Sequence, residues 1–231
     1  MRKNSIILAA ASNPSPGKEA EYDEWYNNHI TILFDFKDLK RACRYRRYNL
    51  GIGDNKKECA KYLSVYEFKT KKALEILPDS PAFAAATKDA EENGAGLADF
   101  IWSGGYEPLK FIERENGNDS ILFIVATECD TKKAEEFNNW YNEIHLPMLF
   151  EFKDTKRAIR YQCYQQIGET ECTKYLAIYE FGSKEAEAAF QQSPAMETAG
   201  KDWVKKLSSS GFGIKLKWSA AYEPIKSLER D

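Results

Sequence analysis

Read for the spacing of apolar and polar positions, the chain runs through one series of patterns twice. Ser5 to Ala11, SIILAAA, is a short unbroken apolar run, and Pro16 to Ile30, PGKEAEYDEWYNNHI, has helical spacing behind a Pro-Gly turn. Arg41 to Tyr48, RACRYRRY, and Lys61 to Phe68, KYLSVYEF, alternate as strands around a loop with hairpin-type turn residues. Ser80 to Gly94, SPAFAAATKDAEENG, opens on a Ser-Pro cap and stops at glycine as helices do, and Phe100 to Pro108 closes the series as a strand. After the polar stretch Glu113 to Asn118, the order strand, helix, strand, strand, helix, strand begins again.

The two series align residue by residue. The offset is 115 from Ser5/Ser120 to Trp25/Trp140, 116 from His29/His145 to Tyr48/Tyr164, 113 from Cys59/Cys172 to Pro81/Pro194, and 116 again from Trp102/Trp218. The chain therefore divides into 1–114 and 119–231, each long enough to bury a core. A βαββαβ unit makes a four-stranded antiparallel sheet with both helices on one face, and two such sheets can cover each other's bare faces. The expected fold is α+β: two tandem ferredoxin-like units forming an internal pseudo-dimeric barrel. Alternation along the strands places Cys43, Tyr45, Leu63 and Val65 under the helices, with Ile159, Tyr161, Leu176 and Ile178 as their counterparts. It turns Arg44, Tyr48, Tyr62, Ser64 and Tyr66, with Arg160, Tyr164, Tyr175, Ala177 and Tyr179, into the space between the sheets, which reads as an aromatic ligand pocket carrying two arginines.

One insertion falls inside an element. Trp25 and His29 are four residues apart, Trp140 and His145 five, and these two histidines are the only ones in the chain. At 100° per residue the first pair lies about 40° apart around a helix and the second about 140°. The second copy must absorb the extra residue in a wide turn, a feature often found at functional sites, and the histidines are then expected to sit in similar places but point differently.

Composition removes several classes of function. A net charge of -3, with the basic run Lys40 to Arg47 only half repeated at Lys156 to Cys163, leaves no electrostatic footprint for nucleic acid. No apolar stretch approaches the roughly 18 residues of a membrane helix. Met1 to Ser12 imitates a secretion signal, but its counterpart from Asn118 lies mid-chain, and five cysteines without a CxxC fit a reducing compartment, so the expected location is cytoplasmic. Phosphate-binding glycine loops and metal motifs are absent, which points to catalysis without cofactor or metal. Cys59 and Cys172 read as small buried hydrophobes.

The motif segments NPSPGKEAEYDEWYNNHI…KRACRYRRY and KAEEFNNWYNEIHLP…KRAIRYQCY resemble the EthD-like branch of the dimeric α+β barrel superfamily, and more loosely bacterial chalcone isomerase. The resemblance implies a Trp-Tyr…His-Leu-Pro signature followed by an Arg-aromatic strand, and cofactor-free cyclases, isomerases, decarboxylases or small monooxygenases as relatives. The second half matches best, at Trp140, Tyr141, His145, Leu146 and Pro147, whereas the first has Ile30-Thr31 in place of Leu-Pro.

An imidazole can take a proton from a substrate and return it elsewhere, and an arginine can hold the negative charge that develops. The expected catalytic residues are therefore His145 and Arg160, with His29 and Arg44 as counterparts; an ion pair with Asp38, Asp154, Glu67 or Glu180 is the bland alternative for the arginines. Tyr48, Tyr62, Tyr66, Tyr164, Tyr175 and Tyr179, with Trp102 and Trp218 as pocket walls, are the substrate-binding set. The function expected is acid/base isomerisation, cyclisation or cleavage of a small aromatic or phenolic carbonyl compound. The alternatives are a non-catalytic binding protein and a small monooxygenase, and association into a homo-oligomer is compatible with each.

Overall fold

The apolar runs become strands and the amphipathic stretches helices, in an order that repeats. In the computed structural model, which describes residues 1–53, 56–115, 120–168, 170–209 and 211–230, the first series is β1 (Ile6–Pro14), α1 (Glu19–Phe34), β2 (Leu39–Leu50), β3 (Tyr62–Phe68), α2 (Lys71–Ile76), α3 (Pro81–Asn93) and β4 (Ala98–Glu113). The second is β5 (Ile121–Glu128), α4 (Ala134–Trp140), α5 (Leu146–Phe150), β6 (Thr155–Ile167), β7 (Tyr175–Phe181), α6 (Lys184–Gln191), α7 (Pro194–Ser209) and β8 (Lys215–Glu229). The Ser-Pro signals act as expected: the Ser80 hydroxyl accepts from Phe83 N–H at 3.1 Å, and Ser193 from Met196 N–H at 3.1 Å. The short helices α2 and α6 follow the third strand of each series and were not foreseen; Thr70 and Ser183 cap them. Residues 116–119, the end of the polar linker and the start expected for the second unit, lie outside the described residues.

All eight strands are antiparallel to their neighbours and close into a ring, β1-β3-β2-β8-β5-β7-β6-β4. Two seams join the series, β2 with β8 and β4 with β6. The fold is thus an α+β barrel, with the helices outside the ring.

The two faces of the strands are the reverse of the sequence expectation. Cys43, Tyr45, Leu63, Val65, Ile159, Tyr161, Leu176 and Ile178 fill the inside of the barrel. Tyr62 and Tyr66 pack under the helices of the first half, and Tyr175, Ala177 and Tyr179 under those of the second. Arg44 and Arg160 also point to the helix side, where side chains of α1 and α4 receive them. The reason is that β3 and β7 are buried along their whole length on both faces, so alternation between polar and apolar residues carries little contrast. An enclosed ring takes aliphatic side chains readily, whereas a guanidinium needs acceptors, and the helices supply them. Inside the ring, Arg41 pairs with Glu67 at 3.2 Å and Arg157 with Glu180 at 2.8 Å.

Trp102 and Trp218 also lie inside the ring, with centroids 6.3 Å apart and planes 29° from parallel. They are core residues of the barrel rather than walls of the cavity described below.

Candidate functional site

Helix α4 does not stop where α5 begins; Tyr141–His145 forms a single π turn between them. The extra residue of the second series is therefore absorbed in a widened turn, as its spacing demands. Pro147 supplies a local cause, since its ring crowds the carbonyl four residues back in a regular helix and a wide turn relieves this; the first half has Thr31 at that place. A turn with one more residue carries position i+5 to where i+4 lies in an α-helix. Consequently the histidines do not point differently. His29 sits 4.8 Å from Trp25, planes 37° apart, and His145 sits 4.8 Å from Trp140, planes 35° apart. Each turns Nδ1 to an aspartate that also accepts the tryptophan N–H at 2.9 Å, Asp89 in the first half and Asp202 in the second.

The halves differ in how tightly these groups are tied. His29 Nδ1 is 2.8 Å from Asp89 Oδ2, a full hydrogen bond, while His145 Nδ1 is 3.6 Å from Asp202 Oδ2, beyond one. Tyr26 and Tyr66 share a hydrogen bond of 3.1 Å. Their counterparts are Tyr141 and Tyr179, and the Tyr179 hydroxyl has no hydrogen-bond partner among the described residues.

His145, Tyr141 and Tyr179 line a cavity of about 400 Å³ between the outside of the barrel and the helices. Phe123 and Val125 of β5 and Leu216 of β8 form its floor, and Met196, Ala199, Gly200 and Trp203 of α7 form its roof. Asn49, Gly51 and Ile52 bring the end of β2 and the following loop across from the first half. Gly51 permits this, because a Cβ there would meet the Ser219 hydroxyl at 2.3 Å. Trp203 lies 5.4 Å from the His145 ring. The walls are mostly apolar, with a few polar groups set among them, the usual make-up of a small-molecule site.

Electrostatics add a second asymmetry. Arg44 is stacked among Tyr22, Tyr26 and Tyr62, and its charge is met by Asp23 at 2.8 Å. Arg160 is stacked in the same way, 4.2 Å from the Tyr141 ring centroid, but Asn138 and Asn142 accept its hydrogens at 2.8 and 3.1 Å. Asn138 stands where the first half has Asp23, so among the described residues no carboxylate neutralises this buried cation. Burial pulls the Arg160 guanidinium down to about 10. Burial also pulls the His145 imidazole down to about 4, opposed by Asp202 and assisted by Arg160, so His145 is neutral near pH 7. Burial and the adjacent Tyr141 push Tyr179 up, which keeps its hydroxyl protonated and able to donate.

The remaining sequence-predicted residues lie around this site or away from it. The Tyr48 hydroxyl donates to Glu187 at 2.9 Å, and the other oxygen of Glu187 accepts from the amide of Gln191, which lines the cavity. Tyr175 lies behind Arg160, while Tyr62, Tyr66 and Tyr164 belong to the first half's helix-side cluster. Tyr141, named in the signature but not in the substrate-binding set, and Trp203 are cavity residues that the sequence reading did not assign. Trp203 had a signal, since four of the five tryptophans pair off between the halves and it alone has no counterpart, aligning with Ala90. His29 and His145 belong to separate helix layers, and no group of three or more metal-ligating side chains is gathered among the described residues.

A family described as a domain of unknown function, DUF4286, matches residues 120–206, the stretch from β5 into α7. No curated protein sequence matches the chain. Among solved structures, an anthrone oxidase-like protein matches over 99% of this chain and 94% of its own, with a TM-score of 0.63 and 13% identity. A candidate monooxygenase from Fusobacterium nucleatum subsp. nucleatum matches over 99% and 96%, with a TM-score of 0.62 and 11% identity. A candidate chlorite dismutase matches over 97% and 96%, with a TM-score of 0.58 and 10% identity. At such identities the likeness is one of fold: a dimeric α+β barrel. No helix of the described residues is long and apolar enough to cross a membrane.

Proposed function

We propose that the chain is an enzyme that binds a planar aromatic hydroxy-carbonyl compound in the second-half cavity and removes a proton from it with neutral His145. The observation that carries this reading is that His145 and Tyr179 line a cavity while His145 Nδ1 and the Tyr179 hydroxyl lack hydrogen-bond partners among the described residues, and their first-half counterparts are satisfied. A buried polar group left unpaired costs about 1–3 kcal/mol, so the Tyr179 hydroxyl favours a ligand that completes it, while His145 Nδ1, set 3.6 Å from Asp202, leaves the ring's other nitrogen to meet that ligand. On this reading the chain is two copies of one unit, 1–114 and 119–231, of which the second holds the working site.

In the first step, Nδ1–H of His145 is held toward Asp202 and the other ring nitrogen takes the proton from the substrate. Asp202 then stabilises the imidazolium. Tyr179 donates to the substrate oxygen on which negative charge collects, and the unneutralised charge of Arg160 favours that anion from behind Tyr141. Arg160 thus keeps the electrostatic role expected of it, but at one remove. Return of the proton at another carbon gives an isomerase, cyclase or lyase. A carbanion in a dry aromatic cavity can instead meet dioxygen, and the monooxygenase and anthrone oxidase-like names among structures of this fold make that the second reading.

The test uses a polycyclic phenol of the anthrone type as probe. Binding is measured by tryptophan fluorescence, since Trp203 borders the cavity, and turnover by absorbance alongside an oxygen electrode. His145→Ala is expected to keep binding within about threefold and to lose at least a hundredfold in turnover. Unchanged turnover would remove His145 from the mechanism, binding without turnover in the intact protein would leave a carrier in place of an enzyme, and oxygen uptake separates the two enzymatic readings.

A further inference from the structure

Away from the cavity, at the β6–β7 hairpin, Cys163 Sγ and Cys172 Sγ lie 2.9 Å apart as free thiols. That separation is short for two unbonded sulfurs, and closing it to the roughly 2.0 Å of a disulfide needs only a small side-chain movement. The hairpin holds the pair in place: Cys163 N–H donates to Lys174 O at 2.8 Å, and Gln162 stands opposite Tyr175 in the ladder. Across from it, Gly104 of β4 leaves room for one sulfur, since a Cβ there would come within 2.7 Å of Cys172 Sγ. The feature belongs to the second half alone, because Arg47 stands where Cys163 would have its counterpart.

We propose that Cys163 and Cys172 form a redox-active dithiol that is oxidised to an intramolecular disulfide by hydroperoxides. Cys172 is the more accessible member, partly buried against the barrel core, while Cys163 is 8% exposed and belongs to that core. Attack therefore begins at Cys172. The Cys163 thiol beside it, then the Tyr106 hydroxyl and Lys174, pull the Cys172 thiol down to about 7, whereas burial pushes Cys129, the other partly buried cysteine, up. The Cys172 thiolate attacks one oxygen of the hydroperoxide, the O–O bond breaks, and alcohol or water leaves, making Cys172 a sulfenic acid. Cys163 then attacks the Cys172 sulfur; the S–S bond forms, the S–O bond breaks, and the hydroxyl leaves as water with the Cys163 proton. Two thiols lose two electrons and two protons, and the hydroperoxide is reduced by the same two electrons.

The experiment treats the full-length protein with hydrogen peroxide, quenches with an alkylating agent and maps the peptides. The expected result is a cross-linked peptide joining Cys163 to Cys172, reversed by dithiothreitol, with Cys172 consumed at least about tenfold faster than Cys129. In Cys163→Ser protein the reaction is expected to stop at the sulfenic acid of Cys172, captured by dimedone. Oxidation of Cys129 as fast as Cys172, or a bridge joining two chains in place of the internal one, overturns the proposal. Retained circular dichroism in Cys163→Ser protein ensures that a negative result there is not one of misfolding.

Discussion

At the scale of single residues, the difference between the two halves turns on Asn138. The first half neutralises its buried arginine with Asp23, whereas Asn138 accepts a hydrogen from Arg160 and leaves the charge. Burial, with that charge adding to it, acts on His145, which in an unfolded chain takes a proton near pH 6.5 but in the folded protein resists until about 4. The unfolded state thus binds more protons in this window, so the histidine's contribution is whole above about pH 6.5 and is lost as pH falls toward 4, by about 3 kcal/mol in all. Denaturant midpoints measured across this range should fall in the natural protein and fall less in His145→Gln. Asn138→Asp is expected to lift the folded value of His145, narrowing the window, and to weaken an anionic ligand about tenfold. Parallel pH curves for the natural and Asn138→Asp proteins would show that Arg160 does not act on this site.

At the scale of elements, the π turn is where the sequence was most informative. A single added residue between Trp140 and His145 announced both the wide turn and the half in which to find it. The direction of the histidine was not legible in the same way, because a regular helix was assumed in measuring the angle, and the turn that absorbs the residue also cancels the rotation. Strand order and helix caps were legible because local chemistry sets them: Ser-Pro caps, the Pro-Gly turn, apolar runs. The sides on which Arg44 and Leu63 lie were not, because strands buried on both faces give up the contrast that a reading of alternation needs. Tyr141 was legible as part of the signature but not as a cavity residue, because its first-half counterpart Tyr26 is a core aromatic. Deleting Ile144 together with Pro147→Thr restores the first-half spacing and should yield a regular helix. Such a protein is expected to be as resistant to heat as the natural one or more so, with ligand affinity reduced at least about tenfold as Tyr141 closes on Tyr179. Full affinity in a folded deletion variant would show that the wide turn has no part in the site.

At the scale of the whole molecule, the seams decide how the parts hold together. The β2–β8 ladder runs from Arg41 opposite Glu229 to Leu50 opposite Ala220, and the β4–β6 ladder from Ser103 opposite Ile167 to Glu113 opposite Arg157. Both are at least as long as the ladders within either half, and the barrel interior is one cluster drawn from both. Unfolding is therefore expected to be a single transition, with calorimetric and van't Hoff enthalpies equal; two separated transitions would show that the halves fold independently. The ring supplies Tyr179, Arg160 and the floor of the cavity, whereas the roof is carried outside it, Met196 and Trp203 by α7 and Gln191 by α6, and none of these three belongs to a strand ladder. Over generations such a chain can exchange one guest for another by altering a few roof residues while the barrel beneath is inherited unchanged, so relatives with the same ring need share neither substrate nor reaction.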